Sequence, residues 1–158
     1  MVIALFLGAC GGADAPTVET ASTPEDEFSP SPLIAPPDCP AAAGELEIWT
    51  QGDLWATEEG NGLEPYEACL VVPADEPFTV TMHHVKAKGT SEIGRVDHNF
   101  SIYADSIALD RLFYGKPFGP GKDRTFEIPA LPAGIYLFRC DIHPRMMKGI
   151  LVAGSDAG

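Results

Sequence analysis

The sequence is short of basic residues, and those it has are confined to one half of the chain. Residues 1–85 contain fifteen Asp or Glu and no Lys or Arg, whereas residues 86–158 contain eight acidic and ten basic residues. A net charge of −13 without a basic stretch argues against nucleic acid as a partner, because phosphate binding needs a basic surface. The acidic half is explained by solubility, and whether it also guides a basic partner stays open.

Helical periodicity and long hydrophobic runs are also scarce. The 158 residues include 16 Gly and 15 Pro, a frequency of breakers that leaves little room for long helices. The segment 104–113 is the one place where we expect a short helix. The length suits one domain with its own core.

What the chain does contain is a series of short β-rich runs bounded by turn residues. In the run 78–85, Phe78, Val80, Met82 and His84 alternate with polar residues, which is typical of a strand with one buried face. Residues 52–67 are predicted to form an irregular loop or an extra hairpin. The pattern as a whole predicts an all-β sandwich or barrel. The runs are 46–50, 68–73, 78–85, 98–104, 124–130, 134–140 and 149–154.

Soft metal donors are concentrated in "FRCDIHPRMMKG", residues 138–149. This stretch places Cys140, His143, Met146 and Met147 within eight positions, between the end of one predicted strand and the start of the next. Each residue alone is more often a packing residue. Together, thiolate, imidazole and thioether favour copper, whereas zinc sites rarely use a thioether.

These residues complete a recognisable pattern with His98. "DHNF", then a long gap, then "YLFRC" and "CDIHPRMMKGILV" resemble the copper-binding sequence of cupredoxins, the plastocyanin, azurin and amicyanin family. The resemblance covers about residues 44–154 and is strongest over 97–152. It implies a cupredoxin-like Greek-key β-sandwich or barrel, with one type 1 copper ion bound by His98, Cys140 and His143.

The same resemblance implies further roles near the ligands. Met147, which precedes "KG", is the preferred axial ligand, and Met146, at the amicyanin-like spacing from His143, is the alternative. Asn99 would tie the two ligand loops together. A dry shell around the ion is expected from Phe100, Phe138, Tyr136 and Ile142. Three residues would surround His143 where it reaches the surface as the electron exit: Phe118, Pro120 and Pro144.

The function implied is one-electron transfer by a monomer that meets a redox protein transiently. The alternative is a non-redox copper-binding or carrier module at the cell surface. We expect no enzyme, because Pro144 stands where a binuclear copper centre needs a second Cys and no paired His-x-His segments are present. The adjacent His83 and His84 are predicted to be structural or surface residues.

The N-terminus carries a second resemblance. "LGAC", ending at Cys10, is similar to a bacterial lipoprotein processing box, although no basic residue precedes the apolar run and the true start is expected upstream of Met1. The alternative is a plain secretory signal. We therefore predict a signal segment (1–10), a disordered Pro/Ser/acid-rich tether (11–43), a cupredoxin domain (44–154) and a tail (155–158), held at a membrane outside the cytoplasm, in the periplasm or at the outer surface.

Two cysteines remain once Cys10 is assigned to a lipid and Cys140 to copper. Disulfides persist outside the cytoplasm, so Cys39 and Cys69 are predicted to form one that joins the end of the tether to the second strand.

Overall fold

The structure is a computed structural model that describes residues 31–58, 60–85 and 96–154. Across these ranges no residue lies in a helix, and no helix is long and apolar enough to cross a membrane. Cys10 and residues 155–158 lie outside the described residues. The strands are β1 Glu45–Gln51, β2 Leu54–Ala56, β3 Gly62–Leu63, β4 Ala68–Val72, β5 Phe78–His84, β6 Ser101–Tyr103, β7 Arg111–Tyr114, β8 Asp123–Ile128, β9 Gly134–Arg139 and β10 Lys148–Ala153.

The strands form two five-stranded sheets that enclose one core. The first sheet has the order β3-β2-β1-β5-β8 and the second the order β4-β10-β9-β6-β7. Each sheet contains one parallel pair, β1 with β5 and β4 with β10, and its other pairs are antiparallel. The predicted all-β sandwich is confirmed.

Strand β5 shows why the sheets face each other. Its residues alternate between buried and half-buried positions along the whole strand, as the sequence pattern predicts. Phe78, Val80 and Met82 are at most 3% exposed and join a core built from both sheets. Burying one face of each sheet in this way is the main favourable term for folding.

The expected helix at 104–113 is wrong. Ala104–Asp110 is a turn in which the Asp105 carboxylate accepts hydrogen bonds from the backbone N–H groups of Ile107, Leu109 and Asp110. Asp side chains offer the backbone this alternative to a helix. The chain then enters β7, whose pairing with β6 could not be read from local periodicity.

Residues 52–67 form the hairpin alternative rather than an irregular loop. Strand β2 pairs with β1 and with the short β3, and the turn between β1 and β2 has Gly52 at φ +62°. Glycine adopts this left-handed conformation at no steric cost. The hairpin brings Trp55, fully buried, into the core.

The segment before β1 lies against the outer face of the second sheet. Leu33, Ala35 and Cys39 pack on Val71, Ile150 and Val152. The disulfide between Cys39 and Cys69 holds this segment, and the Ser31 carbonyl accepts a hydrogen bond from the Ser106 hydroxyl, 2.7 Å. The residues from 31 to 43 therefore cover apolar surface that the sheet would otherwise expose.

Candidate metal centre

Two backbone features place His98 and Cys140 at the same end of the sandwich. His98 forms an isolated antiparallel bridge with Phe118, through N–O distances of 3.1 and 2.9 Å. Cys140 follows the last residue of β9, and its N–H donates to the Met147 carbonyl, 3.0 Å. Because β9 pairs with both β6 and β10, the position of Cys140 is fixed from two sides.

A tight turn carries the third donor. The His143 carbonyl accepts from the backbone N–H groups of Met146, 3.2 Å, and Met147, 3.0 Å. Pro144 suits the first position after His143, because its ring fixes φ at a value such a turn requires. The turn folds His143 back over Cys140 and returns the chain to β10.

Three donor atoms converge in this arrangement. Cys140 Sγ lies 3.7 Å from His98 Nδ1 and 3.9 Å from His143 Nδ1, and the two Nδ1 atoms are 3.1 Å apart. Across the described ranges this is the one group of three His, Cys, Asp or Glu with metal-binding spacing. An ion held at about 2.0 Å from nitrogen and about 2.3 Å from sulfur at trigonal angles separates N from S by about 3.7 Å. The residues therefore fit a trigonal metal site.

Burial distinguishes the two methionines. Met147 is 0% exposed, and its carbonyl accepts a hydrogen bond from the Cys140 N–H. Met146 is 37% exposed. Met147 is therefore better placed than Met146 to face the donor group.

Burial keeps the His98 imidazole neutral. Its ring is 1% exposed, and this burial is the main reason that its pKa falls from 6.5 to about 4. The nearby His84 and His143 rings add to the shift, while the backbone of Gly52 opposes it. A neutral imidazole retains the lone pair that a metal ion requires.

The Cys140 thiol is buried more completely. Desolvation raises its pKa, against the opposing effect of the backbone at Asn99, His143 and Ile142. A thiol in this environment is protonated at neutral pH and becomes a thiolate only when a cation replaces the proton. The site therefore suits a strongly bound soft cation more than a free nucleophile.

Asn99 links the two segments that carry His98 and Cys140. Its side-chain carbonyl accepts from the Asp141 N–H, 2.7 Å, and its amide donates to Asp141 Oδ2, 3.1 Å, and to the Gly115 carbonyl, 3.2 Å. Since Asn99 follows one donor residue and Asp141 follows another, the pair sets their relative position. This contact corresponds to the role predicted for Asn99.

The predicted shell is only partly present. Phe100 and Phe138, both 0% exposed, stack at 5.2 Å between ring centroids beneath the donor group. The prediction that Tyr136 belongs to the shell is wrong. Tyr136 lies four residues before Cys140 on β9, and its hydroxyl donates to the Pro132 carbonyl. Ile142 is 40% exposed and is therefore not part of a fully buried shell.

The surface around His143 differs from the expectation in one residue. Phe118 is buried beneath His84, with centroids 5.8 Å apart, and is not on the surface. The half-buried Pro120 and Pro144 remain as predicted candidates for that surface.

The adjacent His83 and His84 point to opposite faces of the sheet, because neighbouring side chains on a strand such as β5 alternate. His83 stacks on Trp49 and lies 3.1 Å from an Asp123 oxygen on the outer face. His84 is buried with its ring 4.4 Å from that of His98 and with Nδ1 3.3 Å from the Phe118 carbonyl oxygen. Neither belongs to the donor group. The sequence signal for His84 was its place on the buried face of the alternating strand.

The two mixed sheets with His, Cys and His donors at one end define a cupredoxin fold, and the predicted fold is confirmed. The chain is similar to auracyanin of Roseiflexus castenholzii, with a TM-score of 0.50 and 20% identity over 72% of this chain and 98% of that one. It is also similar to auracyanin A of Chloroflexus aurantiacus, described as a blue copper protein, with a TM-score of 0.51 and 16% identity over 70% of this chain and 98% of that one.

A third similar structure is an azurin of Methylomonas sp. strain J, with a TM-score of 0.50 and 16% identity over 71% of this chain and 98% of that one. No protein-family model matches the sequence, and no curated protein matches it. At these identities the likeness establishes the fold alone.

Proposed function

We propose that the chain is a type 1 copper protein that carries single electrons, with His98, Cys140 and His143 as equatorial ligands and Met147 as the axial ligand. The observation that carries the proposal is the convergence of one sulfur and two imidazole nitrogens within 3.1–3.9 Å of one another. One thiolate, two imidazoles and a distant thioether form the ligand set of blue copper sites.

The bound ion would supply a one-electron couple between its cuprous and cupric states. The chain supplies a site whose donors are already in place, because His98 and Cys140 are fixed by strand pairing and by the Asn99–Asp141 contact. The stacked Phe100 and Phe138 keep water from the inner side. A site that does not rearrange lowers the barrier to gaining or losing an electron.

His143 is the proposed route for the electron. It is less buried than His98 or Cys140, and Ile142 and Met146 are exposed on either side of it. A partner protein could therefore approach the imidazole edge over a small, partly apolar surface. Such a contact suits transient docking.

We further propose an extracytoplasmic monomer, anchored through Cys10 and the N-terminal part of the predicted tether 11–43, whose residues 31–43 lie against the domain at 44–154. The Cys39–Cys69 disulfide supports an oxidising compartment. A carrier of this kind needs no catalytic residues and no nucleic-acid surface. The lipid at Cys10 is tested by mass spectrometry of membrane-extracted protein, in which an unmodified Cys10 would contradict the anchor.

The copper site is tested by adding Cu(II) to the whole chain and recording the visible spectrum. We expect an intense blue band from thiolate-to-copper charge transfer, which Cys140→Ser abolishes while the far-ultraviolet circular dichroism is unchanged. His83→Gln is the matched control, because His83 lies on the outer face and should leave the band intact. A folded wild-type protein without a blue band would refute the proposal.

The axial ligand is tested with the matched pair Met147→Gln and Met146→Gln. We expect Met147→Gln to shift the band and the reduction potential, because a harder oxygen donor replaces sulfur beside the ion. Met146→Gln should resemble the wild type. The reverse outcome would assign Met146.

The non-redox copper carrier remains the alternative function. Its ligands would be the same, but it needs no reversible couple. Repeated oxidation and reduction of the blue band without loss of copper supports the electron carrier. Release of copper on reduction would support the metal carrier instead.

A further inference from the structure

The carboxylate of Asp141 is the most heavily bonded side chain near the donor group. Its Oδ1 accepts from the Tyr103 hydroxyl, 2.6 Å, and from Arg139 Nε, 2.9 Å. Its Oδ2 accepts from the Ser101 hydroxyl, 2.7 Å, and from the Asn99 amide, 3.1 Å. These four donors lie on or beside β6 and at the end of β9, so one side chain connects these two neighbouring strands.

Charge reinforces this arrangement. The Arg139 guanidinium lies over the Tyr103 ring, 4.5 Å from its centroid, and its NH2 group donates to the Tyr103 hydroxyl, 3.2 Å. Arg111 adds a second cation 3.8 Å from Asp141 Oδ2. The carboxylate thus accepts four hydrogen bonds and is paired with two guanidinium groups. The carboxylate is therefore a fixed anion.

The Asp141 residue contacts both segments that carry donor residues. Asp141 follows Cys140 directly, and Asn99, which it holds by two hydrogen bonds, follows His98. Ser101 donates to Asp141 and accepts from Asn99, 3.0 Å, so that the three side chains form a closed ring of hydrogen bonds. A ring of this kind restricts movement of His98 relative to Cys140 more than one contact could.

We propose that Asp141 is a positioning residue that holds His98 and Cys140 at metal-binding distance and that its charge biases the bound ion toward the oxidised state. The first half concerns the chain alone. The second half rests on the proposed copper function, because a negative charge near a cation stabilises the more highly charged cupric state.

The first half is tested on the metal-free whole chain by amide hydrogen exchange. We expect Asp141→Asn to lower the protection of the residue-141 amide about tenfold, since it weakens the ring that orients Asn99. The amides of β5 should retain their protection, which separates a local effect from general destabilisation. Asp75→Asn is the matched control, because Asp75 is exposed in a turn outside the site and Asn tolerates its positive φ.

The second half is tested by redox titration of the copper-loaded chain. At a fixed ambient potential near the wild-type midpoint, we expect Asp141→Asn to lower the ratio of oxidised to reduced protein about tenfold. Asp75→Asn should not change this ratio. Residue-141 protection unchanged in Asp141→Asn, or a ratio no different from that of Asp75→Asn, overturns the corresponding half of the inference.

Two further variants cover the case in which Asp141→Asn does not fold. Tyr103→Phe and Ser101→Ala each remove one donor and retain the carboxylate, so each should reduce the residue-141 protection by a smaller factor. Unchanged protection in both would overturn the positioning role. A wild-type chain without a blue band would instead refute the copper function, while the exchange measurement would still decide the first half.

Discussion

The two ends of the sandwich bury different chemistry. Among the described residues, the buried His, Asn, Ser and Thr side chains all belong to the end that holds the donor group, and these are Thr50, His84, His98, Asn99 and Ser101. The opposite end buries apolar or aromatic residues, which are Phe78, Ile128, Leu131 and Tyr136. One chain therefore combines a polar interior at one end with an ordinary hydrophobic core at the other.

The difference between the two ends means that the apolar end mainly provides stability and the donor end mainly provides the metal site. Burying polar groups costs free energy unless each finds a partner, and at the donor end Thr50 Oγ1 and Trp55 Nε1 have no hydrogen-bond partner within the part of the chain that the structure describes. The apolar end contributes stabilisation without such a cost. We therefore expect substitutions at the apolar end to reduce stability and leave the metal site intact.

The largest effect is expected from Phe78→Ala. Phe78 is 3% exposed at the apolar end, and its truncation should lower the free energy of unfolding by about 4 kcal/mol, measured by urea denaturation of the metal-free chain. The blue band of the copper-loaded protein should not change. Phe138→Ala is the matched variant at the donor end, where we expect a similar loss and an altered band. If Phe78→Ala alters the band as strongly, the two ends are not independent.

The next effect is expected from the disulfide on the outer face of the second sheet. The Cys39→Ala/Cys69→Ala double variant opens a loop with a sequence separation of 30 residues. Chain-entropy arguments predict a loss of about 3.6 kcal/mol in the free energy of unfolding. The copper spectrum should be unchanged. Mass spectrometry that finds free thiols at both positions in the oxidised protein would contradict the pairing.

A smaller effect is expected from pH, and it arises at the donor end. The folded metal-free chain holds the pKa of His98 at about 4, against 6.5 in the unfolded chain, and burial also lowers the pKa of His84. Between these values the unfolded state binds more protons, so stability falls as the pH falls. For His98 alone, we expect a loss of about 2 kcal/mol between pH 7 and pH 5. The change is measured by urea denaturation at each pH.

The control for this prediction is His98→Gln, which removes the titrating ring. Its stability should vary less with pH over the same range. If the pH dependence of the variant equals that of the wild type, His98 is not the buried neutral imidazole described above.

The smallest effect is expected from Tyr136→Phe at the apolar end. The substitution removes the hydrogen bond from the hydroxyl to the Pro132 carbonyl, 2.7 Å, and should cost about 1 kcal/mol. Because Tyr136 is not a shell residue, the reduction potential should equal that of the wild type. A shifted reduction potential would show that Tyr136 does belong to the shell around the copper ion.

Much of the donor end could be predicted from the sequence, since its residues follow a fixed order with strand ends on either side. His98, Cys140 and His143 converge as the pattern predicts, and Asn99 bonds to the strand end that carries Cys140. The alternating pattern of β5 was also sufficient to predict its buried face.

What the sequence could not predict depends on pairing between distant segments. The ring position of His84 beside His98 requires β5 to approach the His98–Phe118 bridge, and no local pattern records this contact. The Asp141 bonds likewise join residues about forty positions apart. The helix predicted for 104–113 is absent for a local reason. The Asp105 carboxylate accepts backbone hydrogen bonds that stabilise a turn in its place.

The central claim is that the donor end is a preformed site that holds copper in the same way in both oxidation states. X-ray absorption at the copper edge of the loaded whole chain tests it most directly. We expect two nitrogen ligands and one sulfur ligand in the oxidised and the reduced protein, with bond lengths that differ by about 0.1 Å or less. A first shell without sulfur, or one that gains or loses a strong ligand on reduction, would contradict the account.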